Sequence, residues 1–225
     1  MNETLTKIIN ATNEPIKPYG PGSREKESIK QELKRLKSIQ VEIPIIINGE
    51  EIKTGNMANC VMPHNHNHVL GMYHQASEKE IAMAIESCLE AHKIWSTTSL
   101  EERCEIFQRM AELLQNKFRD TINASTMLGQ SKNIFQAEID SACELIDFFK
   151  FNCQYAQEIY SNQPCISPDG FKNQLEYRPL EGFVFAVTPF NFTSIAANLP
   201  SAPALMGNVS IWKPASSSVY SGHFL

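Results

Sequence analysis

Hydrophobic positions along the chain repeat with changing period, and each change marks an element. Between Arg24 and Ile39, residues Ile29, Leu33, Leu36 and Ile39 fall on one face, which predicts an amphipathic helix lying on a larger body. From Ile43 to Ile52 two short strands flank Asn48-Gly49, a hairpin turn signal. A second strand pair spans about 59–73, broken by PHNHNH. Ser77-Glu78-Lys79-Glu80 is a capping box that opens a helix with Ile81, Ile85, Cys88, His92 and Trp95 on one stripe, where His92 reads as a packed core histidine. Ser99-Leu100-Glu101-Glu102 repeats the device, and Phe107, Met110 and Leu114 continue the apolar face. A third helix should stop at Gly129. Asn133 to Tyr160 is then expected to be one long helix with Ile139, Ala142, Ile146, Phe149 and Cys153 inward. A loop rich in Pro, Asp and Gly follows at 161–170, and Phe171 to Arg178 alternates as a strand does.

The last forty residues have a different texture. Phe183 to Val187 is an apolar run that reads as a buried strand bounded by Gly182 and Pro189. Thr193 to Met206 is small and apolar, with Ser or Thr available as a cap; Pro200 and Pro203 should bend or shorten this helix. Val209 to Trp212 is a second strand, ended by Lys213-Pro214. Strand, helix and strand in so short a span make a βαβ unit with parallel strands. Asn191 and Lys213 then share the carboxyl edge of the sheet, where open α/β sheets bind ligands. An Asn amide there can donate to a developing oxyanion, and a Lys ammonium can donate to hydroxyl or phosphate oxygens. Taken alone, the pattern equally allows Asn191 to be a turn residue and Lys213 a solvated strand end.

Composition narrows the possible functions. The chain has 225 residues, 42% hydrophobic and 20% charged, room for one or two domains. A formal charge of −5 and a pI near 5.7 argue against a nucleic-acid binder. No apolar run approaches the ~20 residues that span a bilayer. The first residues, MNETLTKIINATNEP, lack the pattern of a signal peptide or a transit peptide, which favours a cytoplasmic, bacterial setting over the alternative of a mitochondrial matrix. The six cysteines have no CxxC pairing and read as reduced core residues. His64, His66 and His68 would align on one face of a strand, but no ligand spacing typical of zinc surrounds them, so no metal is expected.

TPFNF, the Ala- and Pro-rich helix, and SIWKPAS together resemble the cofactor-domain signature of aldehyde dehydrogenases. Further marks are NEPIKPYGPGSREKE and GQSKNIFQAEIDSACELIDFFKFN, so the likeness runs from about residue 13 to the end. It is strongest to the branch that oxidises L-glutamate 5-semialdehyde to L-glutamate in proline catabolism. The resemblance implies an α/β fold: an incomplete Rossmann-like cofactor domain with N-terminal β-hairpins and a helical block. Its parts would be an arm and helix over 1–40, hairpins and helices over 41–170, a bridging strand over 171–181 that crosses to a partner subunit, and the first βαβ unit over 182–225.

The resemblance also assigns roles. Thr188 and Lys213 would contact NAD, Asn191 would stabilise the oxyanion, and Phe192 would wall the aldehyde pocket. Glu138 is a further pocket candidate, although by sequence it is also a helix acid favouring the dipole. Ser216 stands where many members carry an acid for the adenosine ribose; the likeness to the semialdehyde branch implies NAD. None of the six cysteines matches the family's nucleophile motif, and no general base or Gly-rich loop is present, so the 225 residues read as the N-terminal portion of a longer enzyme, inactive alone and homo-oligomeric when complete. The alternative is a catalytically inactive binding or interaction protein derived from this fold.

Overall fold

The structure, a computed structural model, describes residues 10–225. Residues 1–9 of the expected arm lie outside the described residues. Helix α1 (Arg24–Lys37) starts where the Ser23 side chain accepts from the Lys26 amide, and it carries acids in its first turn and bases in its last, as the helix dipole favours. Ile29 and Leu36 are its buried positions.

Three strands form the first sheet: β1 (Val41–Ile43) runs parallel to β5 (Asn65–His74), which pairs antiparallel with β4 (Met57–Met62). Gly71 lies opposite Val41, where an added Cβ would stand 2.3 Å from the Val41 carbonyl oxygen, so no other residue fits that register. The expected hairpin is β2 (Ile45–Ile47) with β3 (Glu50–Ile52), and both turn residues have positive φ, 54° at Asn48 and 76° at Gly49. Within PHNHNH the turn is Pro63-His64, and His66 and His68 lie on β5.

Both capping boxes form. They open α2 (Glu78–Trp95) and α3 (Leu100–Leu113). The α2 stripe is less buried than its pattern suggests: Ile81 is 53% exposed, and His92 is no core residue but holds the Leu180 carbonyl through Nε2 at 2.9 Å. After α3 a π turn at Leu114–Phe118 leads into α4 (Arg119–Gln130). This helix passes through Gly129 and ends at Ser131, which is left-handed with φ 56°. Gly129 is small for a different reason: its Cβ position lies 3.4 Å from the Tyr220 ring.

The long helix is interrupted. It comprises α5 (Ile134–Ala137), a π turn at Glu138–Cys143, and α6 (Glu144–Ser161). Phe107, Leu145, Ile146, Phe149 and Cys153 centre one apolar core, and Phe107 meets Phe149 edge to face at 5.6 Å. Leu36, Met62, Leu70 and Tyr220 belong to a second core beneath the sheet.

Within the single chain, residues 171–180 have no ladder partner; Gln163 side-chain bonds to the Leu175 backbone and Tyr177 stacked on Tyr160 at 5.0 Å hold them. A strand needs a neighbour, and here Phe171 is 76% exposed. The final unit is β6 (Val184–Val187), α7 (Thr193–Leu205) and β7 (Ser210–Lys213), with the two strands parallel and Val187 opposite Lys213. The β6 strand is not buried on both faces as expected: Ala186 points inward, while Phe185 and Val187 are each 58% exposed. A 3₁₀ turn at Ser216–Ser218 and α8 (Val219–His223) complete the chain. Among the described residues, no helix is long and apolar enough to cross a membrane.

Candidate functional site at the carboxyl edge of the parallel strands

The βαβ unit brings Thr188, Asn191 and Lys213 to one edge. The Thr188 amide donates to the Lys213 carbonyl at 3.2 Å, so the ends of the two strands lie side by side. Trp212 reaches across to donate from Nε1 to Thr188 Oγ1 at 2.9 Å, which fixes the buried Thr188 hydroxyl and leaves its own proton available. The side chains of Asn191 and Lys213 are exposed, and among the described residues neither has a hydrogen-bond or ion-pair partner.

Asn191 stands one residue before the cap position of α7, whose start is open. Phe192 stands at the cap position with extended backbone and no capping side-chain bond. The Thr and Ser expected to cap the helix are turned inward instead. Thr193 Oγ1 meets Thr126 Oγ1 at 2.8 Å and accepts from Gln130 Nε2 at 2.8 Å, while Ser194 donates to the Glu144 carboxylate. The first-turn N–H groups of α7 therefore lie beside Asn191 without a side-chain acceptor, and the positive end of the dipole adds to the amide.

The opposite end of α7 is caught by four side chains. Trp95 Nε1 donates to the Ala204 carbonyl at 2.8 Å and Arg103 Nε to Leu205 at 2.7 Å. Asn208 Nδ2 donates to Pro203 and Ser210 Oγ to Pro200, each at 2.9 Å. A buried cation at a helix C-terminus is electrostatically favourable, and these bonds hold a helix that carries two prolines without breaking it. Arg103 thus anchors the helix whose far end presents Asn191.

Phe192 is half-buried, and the Lys132 ammonium stands 4.2 Å above its ring centroid. Lys132 is itself paired with Asp140 at 2.7 Å. Lys132, Thr126 and Glu144 were not legible as site neighbours because their roles depend on how α4 and the interrupted helix face α7.

Glu138 lies elsewhere, in a fully buried ionic cluster. Its carboxylate accepts from the Arg119 guanidinium, Asn123 Nδ2 at 2.7 Å, Tyr19 OH at 2.8 Å and the Lys17 amide at 2.8 Å. Arg119 also pairs with Glu14 at 2.6 Å, and Lys150 reaches the second Glu14 oxygen at 2.9 Å. Burial pushes the Glu138 carboxyl upward, but the bonds from Arg119, Lys17 and Tyr19 outweigh it and hold it below the usual carboxylate range. Every lone pair is engaged and no face of the side chain is exposed, so the pocket role expected of Glu138 is corrected: it ties the 14–19 segment to α4. The acid that does reach the start of α7 is Glu144, six residues on.

His64 Nδ1 bonds Ser131 Oγ at 2.8 Å. Among the described residues, no group of three or more His, Cys, Asp or Glu side chains gathers as a metal site.

The aldehyde dehydrogenase family profile matches residues 51–225, and the chain belongs to that family. A delta-1-pyrroline-5-carboxylate dehydrogenase from Agaricus bisporus is 45% identical over 97% of this chain and 40% of its own length. The human mitochondrial protein of the same description is 41% identical over 97% of this chain and 38% of its own. Among solved structures, the Mycobacterium tuberculosis delta-pyrroline-5-carboxylate dehydrogenase bound with NAD superposes with a TM-score of 0.95 at 43% identity, covering 99% of this chain and 42% of that one. The chain thus spans about 40% of the length of the relatives it matches.

Proposed function

We propose that this chain supplies the oxyanion and cofactor edge of an NAD-dependent dehydrogenase that oxidises L-glutamate 5-semialdehyde to L-glutamate in proline catabolism. The observation that carries this reading is the pair of exposed side chains, Asn191 and Lys213, without partners among the described residues, at one edge of parallel strands in a chain of this family. The Asn191 amide and the open start of α7 would donate to the aldehyde oxygen as it gains charge, and Phe192 would wall the aldehyde side. Lys213 and Thr188 would hold NAD: the ammonium has no competing acid among the described residues, and the Thr188 hydroxyl can still donate. When bound, NAD accepts the hydride.

No thiol stands at this edge. Cys88 donates to the Ser210 carbonyl at the other end of β7, Cys165 is in the extended segment, and the remaining four are buried. The 225-residue chain is therefore expected to form no NADH from glutamate semialdehyde, since a thiolate must attack the aldehyde carbon. The exposed Phe171, Leu175 and Leu180 fit a surface that a second copy covers in a homo-oligomer.

Calorimetric titration of the chain with NAD tests the proposal. Binding that Lys213→Ala weakens about tenfold supports it; binding unchanged by that substitution, or no binding at millimolar NAD, rejects it.

A further inference from the structure

Two buried thiols meet in the helical core. Cys104 on α3 and Cys153 on α6 are 2% and 0% exposed, in the cluster that contains Leu100, Phe107, Ile146 and Phe149. The Cys153 thiol donates to the Cys104 carbonyl at 3.7 Å, which brings the two side chains together between α3 and α6. Cys153 is held well above the ordinary thiol range by the neighbouring Cys104 side chain and by burial, whereas Cys104 is lowered by the Cys153 side chain in spite of burial. Other cysteines lack such a partner among the described residues: burial pushes Cys60 up to about 11 and Cys143 up to about 12, and Cys165 is exposed.

We infer that Cys104 and Cys153 are a closable dithiol, which a small peroxide converts to a disulfide joining α3 to α6. Closure in such packed surroundings admits only a small oxidant. The Cys104 thiolate attacks one peroxide oxygen, the O–O bond breaks, and the departing oxygen takes a proton and leaves as water. Cys104 is then a sulfenic acid. Cys153 gives up its proton and attacks the Cys104 sulfur; the S–O bond breaks and the oxygen leaves as a second water. Two thiols lose two electrons in all, and one peroxide becomes two waters.

The bond would close a loop between residues 49 apart in sequence, which constrains the unfolded chain strongly. It would also stiffen the support of the candidate site, because Arg103, next to Cys104, holds the carbonyl end of α7. The inference stands on the core geometry and does not depend on the proposed function.

The test uses the Cys165→Ser protein, which removes the exposed thiol that shares a tryptic peptide with Cys153. Protein treated with hydrogen peroxide is alkylated, digested with trypsin without reductant, and mapped by mass spectrometry. The expected product joins residues 104–109 to residues 151–172, two hydrogens lighter than the separate peptides, and dithiothreitol releases it. The oxidised protein should melt at least about 5 °C higher. Recovery of both cysteines as alkylated thiols from treated protein, or as sulfinic or sulfonic acids, or bonded to other cysteines, overturns the inference. Cys153→Ala supplies a second reading: its Cys104 should stop at sulfenic or higher acids with no linked peptide.

Discussion

Two polar regions of this molecule, the Arg119–Glu138 cluster and the carboxyl edge of β6 and β7, are built on opposite principles. In the first, one cation and two carboxylates are drawn out of water, the half-buried Lys150 reaches in, and each Glu138 and Glu14 oxygen finds a donor. In the second, an amide, an ammonium and the start of a helix face outward without side-chain partners among the described residues. Satisfied groups cost a great deal to disturb but have nothing left to offer a ligand; unsatisfied groups contribute little to stability and can do chemistry. Glu138, for all its buried charge, belongs to the first kind.

The contrast breaks most visibly at Arg119. Arg119→Met should leave Glu138 and Glu14 buried without their shared cation and cost about 3–5 kcal/mol, read from the midpoint of urea unfolding. A loss below about 1 kcal/mol would mean that the cluster is not what holds the 14–19 segment. Asn191→Ala should do the reverse. In an active enzyme containing this segment it should lower kcat about 10²- to 10³-fold, roughly 3–4 kcal/mol, with little change in KM, in NAD affinity or in stability. Near-native kcat would make Asn191 a turn residue. Lys213→Ala should raise the NAD dissociation constant about tenfold, near 1.4 kcal/mol, and leave kcat at saturating NAD almost intact; a kcat effect instead would move Lys213 from the cofactor to the reacting carbon.

The smallest effect is a slope. Because the folded Glu138 carboxyl lies below its ordinary value, its contribution to stability is fully present above about pH 4.3 and is lost as pH falls through the folded value. Urea midpoints measured through that range should fall for the native protein and flatten for Glu138→Gln. Parallel slopes in the two would place the titration elsewhere.

The carboxyl edge was legible because its signals are local: a bounded apolar run, Asn191 after it, and Lys213-Pro214 ending the next strand. What the sequence left hidden depended on distant partners. Thr193 and Ser194 look like caps in any one-dimensional reading, yet Thr126, Gln130 and Glu144 claim their hydroxyls. Phe171 to Arg178 alternates like a strand, but alternation cannot supply the neighbour that a ladder needs. The stripe of the long helix failed at one point for a clear reason. Extending the 3.6-residue period back from Ile146 and Ala142 puts Ile139 inward, whereas Ala137 and Glu138 are the buried residues and Ile139 is half-buried. The Glu144 amide bonds the Ile139 carbonyl, five residues back, so the phase slips within this turn.

That π turn makes the segment sensitive to length in a way that side-chain swaps would not reveal. Such a turn is in effect one residue inserted into an α-helix. Removing one residue between 138 and 143 would restore regular winding, yet it would rotate everything before the cut by about 100° relative to everything after it. Glu138 could then face its cluster, or Glu144 could face Ser194, but one helix could not serve both. Homologous segments that keep both contacts should therefore conserve the number of residues between the two acids more strictly than their identities.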